Sequence, residues 1–582
     1  MKPLKNITFL LILVLVIGCN DDFMERYPLS QLSPENSFTS ETELQAYTNG
    51  FYSVFPAALD VFYHNPLQAD DDARTTVPDE LRGTRTVPTT GGGWNWSELR
   101  RINFFLDNSH KFQNEQIRAK YDALARFFRA YFYYEKVQRF GDVPWYDTVI
   151  EMDDEENLIR ARDSRAFVME RIAEDLDYAI EHLDQGKSVY RVTKWTALAL
   201  KSRAFLFEGT FRKYHGIPGW EEMLDYSIAA SDELISSGGY GIYTSSPESA
   251  YHELFVSKDA DPTEMILARQ YDASVPFVHS VNFYTLSVSY GRPGVLRQVV
   301  NSYLNADGSR FTDNPEYETM QWFEETQNRD PRLSQTIRTP GYTRIGENAV
   351  SLPDFAASIT GYQYTKFVLA PSYDQGNCDN DMPIFRYAEI LLNYAEAKAE
   401  RGNINQSDID RSIKLLRDRV GMPNLDMNIA NANPDPFLED QYVNVTGSNK
   451  GLILEIRRER RVELIREGHR WYDLLRWKEG SLLTREFHGM YFPGVGTYDI
   501  DRDGTIDLHI YEGERPASVP GRQYISIGEV VFENGAQGGQ IVVNPSVTKE
   551  WDENRDYLYP IPTQERLLNR NLNQNPGWVD GI

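Results

Sequence analysis

Apolar and aromatic residues recur at spacings of three and four over long runs, and the runs come in neighbouring pairs, which restricts this 582-residue chain to a mainly helical architecture. Leu44, Tyr47, Phe51 and Phe55 mark a first helix over 41–56. The same spacing predicts helices over 97–110, 117–139, 164–184, 193–211, 220–237, 384–401 and 408–420, and a pair within 450–479. Phe140-Gly141-Asp142-Val143-Pro144 stops the third of these sharply. Small residues such as Ala199, Ser202 and Ala204 let a neighbouring helix approach closely. Between the pairs lie three stretches without periodicity, 60–96, 240–380 and 485–582, rich in Gly, Pro and Tyr. The expected fold is therefore mainly α: a degenerate helical repeat scaffold with long irregular loop insertions and a few short β-strands.

Those helix pairs carry Ala and Tyr at packing positions in a tetratricopeptide-like spacing, without a strict consensus. With only Cys19 and Cys378 present, no disulfide framework supports the fold, so stability rests on packing. The formal charge of −26 repels phosphate backbones and excludes nucleic acid as a natural partner. At the N-terminus, Lys2 and Lys5 precede an apolar run from Ile7 to Ile17 that leads into Gly18-Cys19. Such a run makes about 16 Å of helix, roughly half a hydrocarbon core, so it reads as a signal peptide (1–18) and not as a membrane span. Cleavage before Cys19 would let that thiol carry lipid and would take the charge from −26 to −28 by removing Lys2 and Lys5.

Several segments, taken in order, resemble the SusD/RagB family of nutrient-uptake lipoproteins of Bacteroidetes. Arg129-Ala130-Tyr131-Phe132-Tyr133-Tyr134 with Phe140-Gly141-Asp142-Val143-Pro144 is similar to its N-terminal hallmark, and Phe385 to Ala397 to its central helix. Glu459 to Leu464, Glu467 to Trp477, Tyr559-Pro560-Ile561-Pro562 and Gln574-Asn575-Pro576-Gly577-Trp578 are similar to its C-terminal elements. The resemblance spans essentially the whole chain after Cys19, with an N-terminal region 19–235 and a C-terminal region 236–582 in one body. It implies a lipid-anchored outer-membrane protein facing the cell exterior, where Asn20-Asp21-Asp22 resembles a surface-export tag. It further implies capture of oligosaccharide or polysaccharide, or in some members peptide, and a SusC-like TonB-dependent transporter as partner. The dense Arg and Glu of 455–470 read as structural, because arginines on a packed helix pair need carboxylates to offset their desolvation.

Sugars present hydroxyl rims and weakly apolar faces, so their sites combine exposed aromatic rings with amide, carboxylate and guanidinium groups. Gly91-Gly92-Gly93-Trp94-Asn95-Trp96 offers both, with glycines that would let the backbone turn two indoles outward, and the resemblance places glycan contacts in this loop. The alternative is that a Trp anchors the loop to the core. Upstream, Asp70, Asp71, Asp72, Arg74 and Arg82 are candidates for hydroxyl contacts, against the plainer reading of a solvated turn. The resemblance adds Tyr284, Tyr290 and Trp322 from the irregular middle.

Asp499, Asp501, Asp503 and Asp507 alternate before and after Gly504 like the opening of a structural calcium loop, although Ile510 stands where a bidentate Glu belongs and Asp-Gly turns are common without metal. No other cofactor is expected. No nucleophile elbow, His-Glu-x-x-His helix or phosphate loop is present, which favours a binder over an enzyme. A glycosidase needs only two carboxylates suitably separated in space, so a surface hydrolase is the weaker alternative, beside a peptide-capturing lid.

Overall fold

The structure, a computed structural model, describes residues 37–64 and 68–579. The signal segment and Cys19 lie outside the described residues, and no described helix is long and apolar enough to cross a membrane. The frame is helical. Its principal helices are α1 (Glu41–Asn49), α2 (Ser97–Asn108), α3 (Glu115–Phe140), α4 (Arg165–His182), α5 (Lys194–His215), α6 (Trp220–Ser237), α7 (Tyr387–Arg401), α8 (Ile413–Arg419), α9 (Lys450–Leu464) and α10 (Arg470–Arg476). Successive helices pack on one another, α3 on α4, α4 on α5, α5 on α6, α6 on α7 and α7 on α9, as the paired repeat pattern predicts.

Local chemistry sets the helix ends. Asn114 and Ser164 accept the backbone N–H of Ile117 and Phe167 at the starts of α3 and α4, and Thr193 forms a capping box with Thr196. Gly216 and Gly402, both left-handed, end α5 and α7. Gly209 in α5 permits the closest approach of α6, since a Cβ there would lie 2.6 Å from Leu224 Cδ2. Beside it Ser202 and Ser231 hydroxyls meet at 2.8 Å. The expected close approach on α5 thus forms through Gly209, Ser202 and Ser231.

Three elements differ from the periodicity, the first being 408–420, where a turn at Arg411-Ser412 splits the expected helix into Gln406–Asp410 and α8. Gly50 shifts the first helix into a 3₁₀ turn (Gly50–Val54), and the helix expected from 384 begins only at Tyr387. Met382–Arg386 is instead strand β4, antiparallel to β2 (Met265–Arg269). The apolar spacing of Ile384 and Phe385 suits either state, and Pro383 together with the available partner edge decides for strand.

The other strands are short. β1 (Asp72–Ala73) pairs with β3 (Gly294–Val295), and β5 (Phe487–Phe492), β10 (Gly539–Val543) and β9 (Val531–Phe532) form one small sheet. β6 (Gly496–Tyr498), β7 (Leu508–Tyr511) and β8 (Gln523–Ser526) form another, in which β7 and β8 run parallel. Cys378 is a free, buried thiol whose pKa burial raises to about 11.

Helix α9 is buried along almost its whole length although it carries four arginines and three glutamates. Each charge is matched. Glu463 lies 2.6 Å from Arg419, 2.8 Å from Arg386 and 3.0 Å from Arg332, and Glu459 lies 2.6 Å from Arg332 and 2.8 Å from Arg417. Arg461 and Arg470 reach back to Asp70 and Asp71. The structural reading of 455–470 therefore holds: these groups form a buried ionic lattice that ties α9 and α10 to the loops.

Burial pushes the carboxyls of Glu463, Glu459, Glu467 and Glu396 up, yet their arginine and lysine neighbours outweigh it and leave all four below the usual range. A carboxylate lowered on folding binds protons more readily when unfolded, so its stabilisation is present above about pH 4.3 and is lost as pH falls through the folded-state value. Glu479, raised by burial to about 7, acts in the opposite sense at higher pH and is protonated in both states below that window. Denaturation midpoints measured across pH are expected to fall steeply below about 4.3, and an unchanged midpoint down to pH 3 would contradict the lattice.

Candidate functional site

The irregular segment 68–82 does not form a solvated turn. Asp70 and Asp71 are buried and held by α9 and α10, with Arg470 Nε 2.6 Å from Asp70 Oδ1 and Arg461 Nε 2.7 Å from Asp71 Oδ1. As direct hydroxyl readers they are therefore corrected: these carboxylates are consumed by guanidiniums in the interior. They fix the course of the chain that follows. Leu296 N–H donates to the Asp71 carbonyl at 3.0 Å, β1 pairs with β3, and Thr75 N–H donates to the Gly291 carbonyl at 2.9 Å. The segment after Asp71 is thereby laid beside residues 289–295.

Between them opens a cleft of about 390 Å³, lined among others by Gln68, Asp72, Arg74, Thr75, Ser289 and Lys549. Asp72 Oδ2 stands 3.7 Å from Arg74 Nη2, and Asn544 Nδ2 donates to the Arg74 carbonyl at 2.8 Å. Arg74 also donates to the Phe62 carbonyl. Ser289 and Gly291 flank Tyr290, whose ring packs 5.2 Å from Tyr284 and 4.8 Å from Phe283. Tyr284 and Tyr290 are half-buried. The fold thus brings Asp72 and Arg74 together with the segment carrying Tyr284 and Tyr290, some 210 residues later. Chemically, the cleft offers hydroxyl, amide, carboxylate and guanidinium groups; the aromatic ring in its lining is Phe487, and Tyr290 adjoins it through its neighbours Ser289 and Gly291.

Arg82 is exposed, 3.9 Å from Asp79, and does not line this cleft. Trp322 is corrected as well: it is 3% exposed and its indole N–H donates to the Arg338 carbonyl at 3.2 Å, so it presents no platform.

The Trp94–Trp96 loop lies elsewhere, on α3. Gly91, Gly92 and Gly93 all take positive φ, but the turn they make directs the indoles inward, since Arg139 and Lys136 on α3 hold the Gly92 and Gly93 carbonyls at 2.8 and 2.5 Å. Trp94 is 7% exposed and meets Phe140 edge-on at 4.9 Å. The outward-facing pair is therefore corrected to one buried anchor and one half-buried ring. Asn95 Oδ1 accepts the Ser97 N–H at 2.9 Å at the start of α2, which commits its carbonyl to the helix end. Trp96 borders a separate, more apolar hollow of about 610 Å³ with Leu99, Tyr146, Ile159 and Leu568. The two hollows share no lining residue. Trp94→Ala is expected to cost about 3–5 kcal/mol of stability by opening a cavity against α3, read as a lowered denaturation midpoint.

In the acidic loop, carboxylate oxygens of Asp499, Asp501 and Asp507 come within 4.8 Å of one another. Asp503 is outside this group and accepts the Thr505 N–H. The loop's own amides occupy the three: Gly504 N–H donates to Asp499, Asp503 N–H to Asp501 and Ile500 N–H to Asp507. Ile510 is a core residue of β7.

Sequence reasoning did not reach Gln68, Ser289, Asn544 or Lys549. They come from loops and a strand end whose only signal is proximity in the fold.

Comparison with known proteins agrees with this architecture. A profile described as "SusD family" matches residues 264–578, more than half of the chain, and one described as "Starch-binding associating with outer membrane" matches residues 93–206. SusD-like protein P2 of Formosa agariphila is 24% identical over 99% of this chain and 100% of its own length. A SusD-like protein of Bacteroides ovatus is 21% identical over 97% of this chain and 96% of its own. Among solved structures, a SusD-like carbohydrate binding protein from Bacteroides fragilis superposes with TM-score 0.69 at 20% identity, covering 92% of this chain and 99% of the other. A structure with xylogluco-oligosaccharide superposes with TM-score 0.60 at 17% identity over 93% and 99%. With the repeat frame in place and the matched residues running through α7, α9, α10 and the C-terminal segment, the chain belongs to the SusD/RagB family.

Proposed function

We propose that this chain is a non-catalytic, lipid-anchored outer-membrane protein that holds oligosaccharide or polysaccharide in the Arg74 cleft. It passes the glycan to a SusC-like TonB-dependent transporter. The observation that carries this reading is the juxtaposition of hydroxyl-reading groups (Asp72, Arg74, Thr75) with the Tyr284–Tyr290 segment. Sugars need both elements, one for the hydroxyl rim and one for the C–H face. The relatives support the ligand class: one is described as carbohydrate binding, another was solved with xylogluco-oligosaccharide, and a matching profile is described as starch-binding and associating with the outer membrane. Cys19, after its apolar leader, supplies the anchor.

Calorimetric titration of the whole chain in mild detergent against a glycan panel, followed by product analysis, tests the reading. Saturable binding of intact glycan is expected. Tyr290→Ala should weaken it about tenfold, the loss of one ring contact worth about 1–1.5 kcal/mol. Folded protein that binds no glycan would contradict capture, and accumulation of shorter products would contradict the non-catalytic role. Gentle solubilisation of membranes should bring down a large β-barrel with the protein.

A further inference from the structure

We infer that the cleft is built for an acidic glycan, one whose uronate carboxylate or sulfate ester sits between Arg74 and Lys549. The inference rests on the glycan-binding reading and adds the ligand's charge to it.

At a formal charge of −26 the protein repels anions at long range, so an arbitrary hollow on it should be lined by carboxylates. This cleft is not: its charged lining residues are Arg74, Lys549 and Asp72. The one carboxylate, Asp72, is 8% exposed and reaches Arg74 at only 3.7 Å, so it does not form a tight bidentate pair with it.

Lys549 is the more telling group. It is half-buried, its ammonium lies 3.3 Å from the centre of the Phe487 ring, and it donates to the Arg485 carbonyl. Among the described residues no carboxylate stands within 4.0 Å of it, a condition it shares with Arg329 and Arg466, but those two are buried and donate to protein oxygens, whereas Lys549 lines the cleft. Burial pushes its pKa down to about 8, the mark of a cation that its surroundings do not fully compensate. Holding a partly desolvated ammonium at the wall of a cleft costs free energy that a neutral ligand does not return and an anionic one does. Arg74 complements it, since a guanidinium offers a planar fork to carboxylate or sulfate oxygens. Thr75 and Ser289 remain for hydroxyls, Gln68 being buried with its amide on the Val61 carbonyl, so the lining suits a sugar that carries an acid and not a bare anion.

The test is a glycan array spanning neutral, uronate-containing and sulfated glycans, read on the whole chain and on Lys549→Gln, Lys549→Arg and Arg74→Gln. The expected result is binding confined to acidic members and weakened by salt. Lys549→Gln should weaken it about tenfold and Lys549→Arg should restore it. Carboxyl-reduced counterparts of any uronate-containing ligand should bind at least as weakly as the Gln variant binds the parent. The uronate and sulfate arms decide which acid is read. Binding of neutral glycans alone, or of acidic ones indifferently to Lys549→Gln at unchanged melting temperature, overturns the inference and leaves the glycan reading standing. Binding of none overturns both.

Discussion

Asp70→Ala is expected to lower stability by about 3–5 kcal/mol and to abolish glycan capture in the same protein, because one buried carboxylate both shares with Asp71 the pairing of two arginines and seats the cleft. Its oxygens lie 2.6 and 2.9 Å from Arg470 and 3.1 Å from Arg461, with no exposure to solvent. Burial alone would raise its pKa, but Arg470 and Arg461 overcome that and bring it down to about 2. Truncation leaves Asp71 alone to face two interior guanidiniums, 2.7 Å from Arg461 and 3.7 Å from Arg470. The cleft wall follows, since Gln298 holds the Asp70 carbonyl at 2.8 Å and the strand pair β1–β3 begins two residues later. Chemical denaturation and glycan titration check the two effects separately. Wild-type stability would contradict the structural role, and wild-type affinity in the folded variant would contradict the link from this carboxylate to the cleft.

Glu463→Gln has a comparable expected cost of about 3–5 kcal/mol, confined to stability. Arg419, Arg386 and Arg332 converge on its two oxygens, each itself almost fully buried. A neutral amide keeps the shape but offers donors to three donors. Because Glu463 is among the carboxylates most strongly lowered on folding, the variant should also show a shallower loss of stability below about pH 4.3 than the parent. A cost under about 1 kcal/mol would mean that the lattice relaxes around the change, as some buried ion pairs do when replaced.

The helical frame was legible because helix formation is local. Apolar spacing marked α3 to α7 and α9 within a few residues of their observed ends, and Gly216 and Gly402 stop two of them where left-handed backbone is needed. The dense charges of 455–470 were legible for a related reason: so many guanidiniums on an apolar-flanked helix require carboxylates. The cleft was only half legible. Asp70 and Asp71 look like a hydrated turn until Arg461 and Arg470, nearly 400 residues later, are seen to claim them. β1 and β3 are two residues each, too short for any period to show. For Trp94 and Trp96 the glycines disclosed a turn but not its direction, which Phe132, Phe140, Lys136 and Arg139 on α3 decide. Lys549 comes from a stretch without pattern, and only the closed fold places it in the same cleft as Arg74.

The most direct test of the account is a crystal structure of the protein with a bound oligosaccharide taken from whichever glycan titrates saturably. Sugar density is expected in the Arg74 cleft, with a ring against Tyr290 or Tyr284 and polar contacts to Arg74 and Thr75. Density in the hollow beside Trp96 and Tyr146, with the Arg74 cleft unoccupied at saturating ligand, would contradict this and move the capture site to the Trp94–Trp96 loop.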